Sequence, residues 1–159
     1  MVEIKAVCIS KKKGTAKKNV HSAKLVADHG LENDAHAGSG PRQVSLLSHE
    51  KIEDFRAKGA MVTYGCFGEN IVASGIDFAS LPVGTRLSCS DALLAITQIG
   101  KECHSRCGIF QSMGECIMPT QGVFAEVLRG GTVSVGDEMR VLINKSEKSA
   151  TTTRGGGMQ

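Results

Sequence analysis

Aromatic side chains are scarce in this sequence of 159 residues, which has no tryptophan, one tyrosine and five phenylalanines. Proteins that bind single-stranded nucleic acid stack bases on aromatic rings inside a strongly basic groove. The formal net charge is only +3, and much of the basic excess lies at residues 11–13 and 17–18. We therefore expect no nucleic-acid partner. We interpret these lysines as a solvated loop, with a phosphate-bearing ligand or partner as the alternative.

Long hydrophobic runs are also missing. No apolar stretch approaches the roughly 20 residues that a membrane span needs, and residues 2–5 begin an alternating strand pattern instead of a secretory signal. The six cysteines are Cys8, Cys66, Cys89, Cys103, Cys107 and Cys116. Without a signal peptide, such thiols are expected to stay free or to bind metal in a reducing cytoplasm.

Short segments with strand character, separated by glycine turns, dominate the chain. Alternation predicts a first strand from Val2 to Cys8, and further strands are predicted over 20–26, 42–47, 86–89, 93–99, 123–128 and 132–135. Turns at 90–91 and 129–131 predict hairpins. One helix is predicted over 49–58, with Ser48 as its N-cap and Gly59 as its stop. The pattern favours a mainly β fold with a few short helices and an antiparallel, barrel-like sheet.

The apolar pattern stops after Ile143. Residues 145–159 have too little hydrophobic content to order themselves. We expect one domain over residues 1–144 and a flexible tail over 145–159.

Cys103 is the candidate reactive sulfur. It follows a predicted buried strand at 92–96, and a strand end holds a functional group rigidly while leaving it accessible. Lys101, His104 and Arg106 all lie within three residues of it. Nearby positive charge stabilises a thiolate, which is a nucleophile and a soft metal ligand.

The later cysteines allow other interpretations. Cys103, His104, Cys107 and Cys116 could bind zinc tetrahedrally, or the three thiolates could hold an iron–sulfur cluster. Their spacing matches neither paired C-x-x-C zinc ligands nor a standard ferredoxin run. Alternatively, Cys107 and Cys116 are small buried hydrophobic residues. In a further alternative, one of them resolves a persulfide or sulfenate on Cys103 as a disulfide.

A polar pair lies before the apolar residues 71–72. Glu69 and Asn70 follow a turn with a glycine on each side, Gly65 and Gly68. A carboxylate and an amide at the start of a strand can orient a ligand. They can equally brace the turn itself.

The ordered segments together resemble a known family. They are Asn33-Asp34-Ala35-His36, residues 42–47, Gly68-Glu69-Asn70-Ile71, Gly100-Lys101-Glu102-Cys103, residues 122–128 and Gly136-Asp137. In this order and spacing they resemble the MOSC domain family, found at the C-terminus of molybdenum cofactor sulfurases and as small free-standing bacterial proteins. The resemblance covers about residues 4–143. Asn33 stands where the family often has glycine, and asparagine can still adopt the left-handed conformation.

The resemblance implies a β-rich, barrel-like fold with a pocket at Cys103. Family members are thought to carry a persulfide on this cysteine for delivery to the molybdenum cofactor (molybdopterin), or to bind the cofactor within a molybdoenzyme. Carried over by position, Cys103 would be the molybdenum ligand or sulfur carrier, with His36 and Arg42 beside it. The remaining cofactor-binding positions implied are Asp34, Glu69, Asn70 and Lys101. Arg42 and Lys101 would hold phosphate, and His36 would transfer a proton or orient the ligand.

The resemblance also bears on partners. The pyridoxal-phosphate-binding domain of full sulfurases is not found in this chain, so we expect no pyridoxal phosphate here. Sulfur would come from a cysteine desulfurase-type donor or a molybdenum cofactor biosynthesis protein. The leading hypothesis is a cofactor-binding sulfur carrier, or sulfurtransferase. The alternatives are a complete molybdoenzyme that reduces N-hydroxylated compounds, with Cys103 as metal ligand, and a zinc- or iron–sulfur-stabilised binding module.

Overall fold

The computed structural model describes residues 2–12, 16–100 and 121–142. Within these ranges the chain forms eleven strands, one α-helix and one turn of 3-10 helix. The strands are β1 (Val2–Ile9), β2 (Lys18–Asn19), β3 (Ser22–Val26), β4 (Gly30–Leu31), β5 (Val44–Ser48), β6 (Ile71–Ser74), β7 (Arg86–Cys89), β8 (Ala92–Ile99), β9 (Val123–Arg129), β10 (Gly131–Ser134) and β11 (Glu138–Leu142). Helix α1 spans His49–Ala57, and the 3-10 turn spans Phe78–Ser80. The predicted tail at 145–159 lies outside the described residues.

Seven of these strands close into a barrel. Their order is β11-β7-β8-β9-β5-β6-β1, and β1 pairs back to β11. All neighbours are antiparallel except β5 and β6, and helix α1 lies in the crossover that this parallel pair requires. Strands β10, β3 and β4 form a separate three-stranded sheet. The prediction of a mainly β, largely antiparallel barrel is confirmed.

Strand β1 contributes side chains to two hydrophobic cores. Simple alternation would place Ile4, Ala6 and Cys8 on one buried face and Val7 on the other. A register shift between Ile4 and Ala6 in the pairing with β6 breaks that alternation. Val7 therefore joins Ile4 in the larger core, to which all seven barrel strands contribute. Ala6 and Cys8 pack in the second core, with helix α1.

Helix α1 covers the second core as its pattern predicted. Ile52 and Phe55 are fully or almost fully buried, and the chain leaves the helix at Gly59, where φ is 102°. Ser48 occupies the N-cap position, but its side chain makes no capping hydrogen bond. Its Oγ instead accepts a hydrogen bond from the Phe78 N–H at 3.2 Å. The N-cap residue thus ties the helix to the 3-10 turn.

One of the two predicted hairpins is wrong. Strands β7 and β8 pair across the turn at Ser90, as expected. Strand β9, however, pairs with β8 and β5, whereas β10 pairs with β3 in the other sheet. The chain changes sheet at two glycines that pack against backbone. A Cβ at Gly130 would lie 2.6 Å from the Leu25 carbonyl oxygen, and one at Gly131 would lie 2.9 Å from the Ala92 nitrogen.

The structure describes three of the cysteines, Cys8, Cys66 and Cys89, and all three are free thiols. Burial raises the pKa of Cys8 to about 12 and that of Cys89 to about 11. Both therefore stay protonated at neutral pH and act as packed hydrophobic side chains. Cys66 is part-buried, and its Sγ accepts a hydrogen bond from the Thr63 N–H at 3.3 Å.

No helix in the described part of the chain has the length and apolar content needed to cross a bilayer.

The turn at residues 65–68 packs directly on the backbone at Lys17. The Lys17 N–H donates to the Gly65 carbonyl at 2.9 Å. Gly65 has a φ of 95°, and a Cβ there would lie 2.0 Å from the Lys17 carbonyl oxygen. Only glycine fits this contact without movement of one of the two backbones.

Replacing Gly65 with alanine should therefore destabilise the fold severely. We expect Gly65→Ala to lower the free energy of unfolding by about 3 kcal/mol or more, since strain and a backbone clash combine. Gly59→Ala is the matched control, because Gly59 has a similar φ of 102° with nothing within 4 Å of the added Cβ. Gly59→Ala should lower the free energy of unfolding by only about 1 kcal/mol. Urea unfolding measures both, and equal losses would contradict the clash.

Candidate functional site

A buried ion pair lies at the centre of the polar site. Lys17 Nζ is 2.7 Å from Asp34 Oδ1, and the two side chains are 1% and 0% exposed. Burial of charge is costly unless both partners are paired and their remaining polar atoms hydrogen-bonded. Lys17 Nζ also lies 3.4 Å from Ser10 Oγ and 2.9 Å from His36 Nδ1. The ammonium group thus has three polar neighbours for its three N–H groups.

Asp34 receives further hydrogen bonds on its two oxygens. The Ser10 N–H donates to Oδ1 at 3.1 Å, and Asn70 Nδ2 donates to Oδ2 at 3.0 Å. Burial raises the pKa of Asp34, but the bonds from Lys17, Ser10 and Asn70 outweigh it, and the pKa lies below its ordinary value. The carboxyl group is therefore ionised at neutral pH.

Asn70 connects this ion pair to two barrel strands. Its Nδ2 also donates to the Cys8 carbonyl at 3.0 Å, and its Oδ1 accepts from the Ser45 N–H at 2.8 Å. Its own N–H donates to the Ser45 carbonyl, while its carbonyl accepts from the Cys8 N–H. The sequence left open whether Asn70 orients a ligand or braces a turn. It bridges β1 and β5, and it also lines a cavity.

That cavity has a volume of about 170 Å³. It is lined by His36, Arg42, Ser45, Gly68, Asn70 and Phe124. The Arg42 guanidinium lies 5.0 Å from the centre of the Phe124 ring, and its Nε donates to Gln98 Oε1 at 3.2 Å. Stacking and this hydrogen bond restrain a cation that is otherwise exposed. The structure therefore brings two of the predicted residues, His36 and Arg42, into one cavity with Asn70.

One residue of the cavity lining also has an unsatisfied hydroxyl group. Ser45 is 5% exposed, and within the described ranges its Oγ is a buried side-chain atom with no hydrogen-bond partner. A buried polar atom without a partner is unfavourable by about 1–3 kcal/mol. The fixed guanidinium, the hydroxyl and the imidazole together suit an anionic, hydrogen-bonding ligand. This donor set fits the phosphate and oxygen atoms of a molybdopterin-type group.

Glu69, which the resemblance implies as a cofactor-binding position, is not among the residues that line this cavity. It is fully buried, and its carboxylate accepts from the Gly65 N–H at 2.8 Å and the Phe67 N–H at 3.0 Å. Burial raises its pKa from the ordinary 4.5 to about 7, although these N–H groups and Lys17 act in the opposite direction. Glu69 holds the turn that packs on the Lys17 backbone. It therefore supports the position of Lys17 and shapes the site indirectly.

The lysine cluster does not behave as one solvated loop. Lys17 is buried in the ion pair, contrary to that interpretation. Lys11, Lys12 and Lys18 line a separate cavity of about 400 Å³, together with Ile9, Ser10, Ala16 and Val20. The difference is positional, because Lys17 immediately precedes β2 and points its ammonium at Asp34, whereas Lys18 is exposed.

Three residues of the site were missed by sequence reasoning. Lys17 gave no signal, since burial of one lysine among five depends on the tertiary structure. Ser45 is the one hydroxyl within the predicted strand at 42–47, and that was the available sign. Phe124 looked like an ordinary strand residue, and the structure shows that it lines the cavity and lies against the Arg42 guanidinium.

Several predicted site residues lie outside the described residues. They are Lys101, Cys103, His104, Cys107 and Cys116. Their predicted roles as thiolate, metal ligands or phosphate contact therefore stay predictions. Among the residues that are described, no group of three or more histidine, cysteine, aspartate or glutamate side chains could hold a metal ion.

Comparison with known proteins agrees with this architecture. The MOSC domain model matches residues 33–140. No curated protein matches the chain at a significant level. The YuaD protein from Bacillus subtilis superposes with a TM-score of 0.73 at 21% identity, over 87% of this chain and 94% of that one.

Two further solved structures show the same fold. YiiM from Geobacillus stearothermophilus has a TM-score of 0.69 at 17% identity, over 91% of this chain and 77% of its own. YiiM from Escherichia coli has a TM-score of 0.59 at 17% identity, over 90% of this chain and 69% of its own. The described site thus lies on a barrel that these proteins share.

The raised pKa of Glu69 predicts a pH dependence of stability. Between about pH 5 and 7 the folded protein holds a proton that the unfolded chain has released, so the free energy of unfolding falls as pH rises. Asp34 adds nothing in this window, because its lowered pKa keeps it ionised throughout. Between about pH 5 and pH 8, we expect the free energy of unfolding of the wild type to fall by on the order of 2 kcal/mol relative to that of Glu69→Gln, as measured by urea unfolding. A pH-independent difference would contradict the assignment.

Proposed function

The chain belongs to the MOSC domain family, and we propose that it binds a molybdenum cofactor at the cavity of His36 and Arg42 and carries sulfur on Cys103. The observation that carries this proposal is that one cavity is lined both by Ser45, whose hydroxyl is unsatisfied, and by Arg42, whose guanidinium is restrained. A ligand with acceptor oxygens would satisfy the hydroxyl and pair with the cation. A volume of about 170 Å³ suits one part of such a ligand, for example its phosphate.

Each residue of the described site would act on the bound cofactor in a definite way. Arg42 would pair with phosphate through a guanidinium fixed by Phe124 and Gln98. Ser45 and Asn70 would orient the ligand by hydrogen bonds from a rigid barrel wall. When bound, the molybdenum cofactor supplies a metal centre for oxygen- or sulfur-transfer chemistry. Lys101 is proposed as a second phosphate contact.

Sulfur loading would proceed on the chain's own thiol. The Cys103 thiolate would attack the terminal sulfur of a persulfide on a donor protein. A new S–S bond forms at Cys103, the donor's S–S bond breaks, and the donor cysteine leaves as a thiolate. No external oxidant or reductant is needed for this exchange. A cysteine desulfurase-type protein or a molybdenum cofactor biosynthesis protein would be the donor, and a reducing cytoplasm would suit the free thiol.

The carrier role predicts a specific covalent product. After incubation with a cysteine desulfurase and cysteine, without other reductants, intact-mass spectrometry should show the protein heavier by one sulfur atom. We expect Cys103→Ser to lose this adduct completely. Cys66→Ser is the matched control, because Cys66 is a free thiol in the described structure, and it should keep the adduct. An adduct that persists in Cys103→Ser would contradict the carrier role.

Cofactor binding predicts a charge-dependent affinity. We expect Arg42→Ala to weaken binding of isolated molybdenum cofactor about 10-fold to 100-fold, the loss typical of a charge-assisted hydrogen bond. Arg140→Ala should leave the affinity unchanged, because Arg140 is exposed and is not among the residues that line the cavity. Its Nη2 lies 3.5 Å from Glu138 Oε1. Pterin fluorescence and elemental analysis of molybdenum measure binding. Stoichiometric zinc or iron without pterin would instead favour the metal-stabilised binding module.

A further inference from the structure

Lys17 makes a contact with His36 that the proposed function does not yet use. Lys17 Nζ lies 2.9 Å from His36 Nδ1, within hydrogen-bond distance. The same ammonium is fixed by Asp34 Oδ1 at 2.7 Å and by Ser10 Oγ at 3.4 Å. Since the lysine side chain is 1% exposed, water cannot readily replace any of these partners. The histidine therefore meets a cation whose position is set by the barrel.

The chemistry of this contact determines where the imidazole carries its proton. An ammonium group donates hydrogen bonds and accepts none, so Nδ1 must be the acceptor. The same Nζ donates to the Asp34 carboxylate at 2.7 Å, in an ion pair that the Ser10 and Asn70 hydrogen bonds to Asp34 support. A neutral imidazole with Nδ1 as acceptor carries its hydrogen on Nε2. A proton on Nδ1 would place two hydrogen-bond donors against each other at 2.9 Å, which the contact does not allow.

We propose that Lys17 is a positioning residue that fixes His36, a residue of the cavity lining, in the neutral Nε2–H tautomer, so that the imidazole meets its other partners as a hydrogen-bond donor at Nε2. This proposal depends on the proposed function only for the identity of the ligand that His36 would contact. It narrows the role of His36 from proton transfer or orientation to orientation through an N–H group. An N–H group at Nε2 favours an acceptor, such as a phosphate oxygen, over a donating ligand.

The tautomer can be read directly from the wild-type protein. Long-range ¹H–¹⁵N correlation spectra at about pH 8, where histidine is ordinarily neutral, distinguish the two imidazole nitrogens. The His36 signals are assigned as those that vanish in His36→Gln. We expect a single Nε2–H pattern without any ligand present. An Nδ1–H or averaged pattern would overturn the proposal, and this measurement needs no destabilised variant.

Two lysine variants then test whether Lys17 is the cause. In Lys17→Met, the Asp34 carboxylate is the charged group that remains in the cluster, and it favours a hydrogen-bond donor at His36 Nδ1. The spectrum of His36 should therefore shift towards the Nδ1–H pattern. Lys18→Met is the matched control, since it removes the same charge from the adjacent exposed residue, and it should keep the wild-type pattern. A folded Lys17→Met protein with an unchanged Nε2–H pattern would overturn the proposal. If Lys17→Met does not fold, the wild-type spectrum decides.

This test is separate from the test of the proposed function. A wild-type protein that binds no molybdenum cofactor but shows the Nε2–H tautomer would refute cofactor binding and leave the role of Lys17 intact. Cofactor binding with an averaged His36 pattern would refute the role of Lys17 alone.

Discussion

The buried ion pair between Lys17 and Asp34 is the interaction on which the site depends. Two charges removed from water are stable only when every remaining donor and acceptor finds a partner. Ser10, Asn70 and His36 supply those partners, and they come from different segments of the chain. The pair therefore fixes the loop that carries Asp34 and His36 against the barrel wall. Loss of either charge would leave the other buried and unpaired, at a typical loss of about 3–5 kcal/mol.

The same interaction links the stability of the fold to the cavity at which we propose ligand binding. Glu69 holds the 65–67 turn, the turn packs on the Lys17 backbone, and the Lys17 ammonium contacts His36 at the cavity. Rigid support of this kind places ligand-binding groups with little loss of entropy on binding. The Ser45 hydroxyl is the counterpart, because among the described residues it is a buried side-chain atom without a hydrogen-bond partner, which is unfavourable.

The candidate site was predictable in part. Asp34, His36, Arg42, Glu69 and Asn70 were identified through their resemblance to a family pattern, and Asn33 adopts the left-handed conformation expected of it, with φ at 71°. Their mutual arrangement was not predictable. The alternation of β1 failed at a register shift, and the second hairpin failed because β10 pairs with β3 and not with β9. Both are contacts between segments distant in sequence, which local periodicity does not contain.

The sequence by itself determined the β-rich class, the barrel, the amphipathic helix and the family. Each follows from local patterns: alternating apolar residues, glycine turns and an ordered set of short motifs. Only the tertiary structure decided that Lys17 is buried, that Glu69 supports a turn, and that Ser45 and Phe124 complete the cavity. Burial and pairing of a side chain depend on which distant segments pack around it, so a lysine in a basic run can become the central cation of the site.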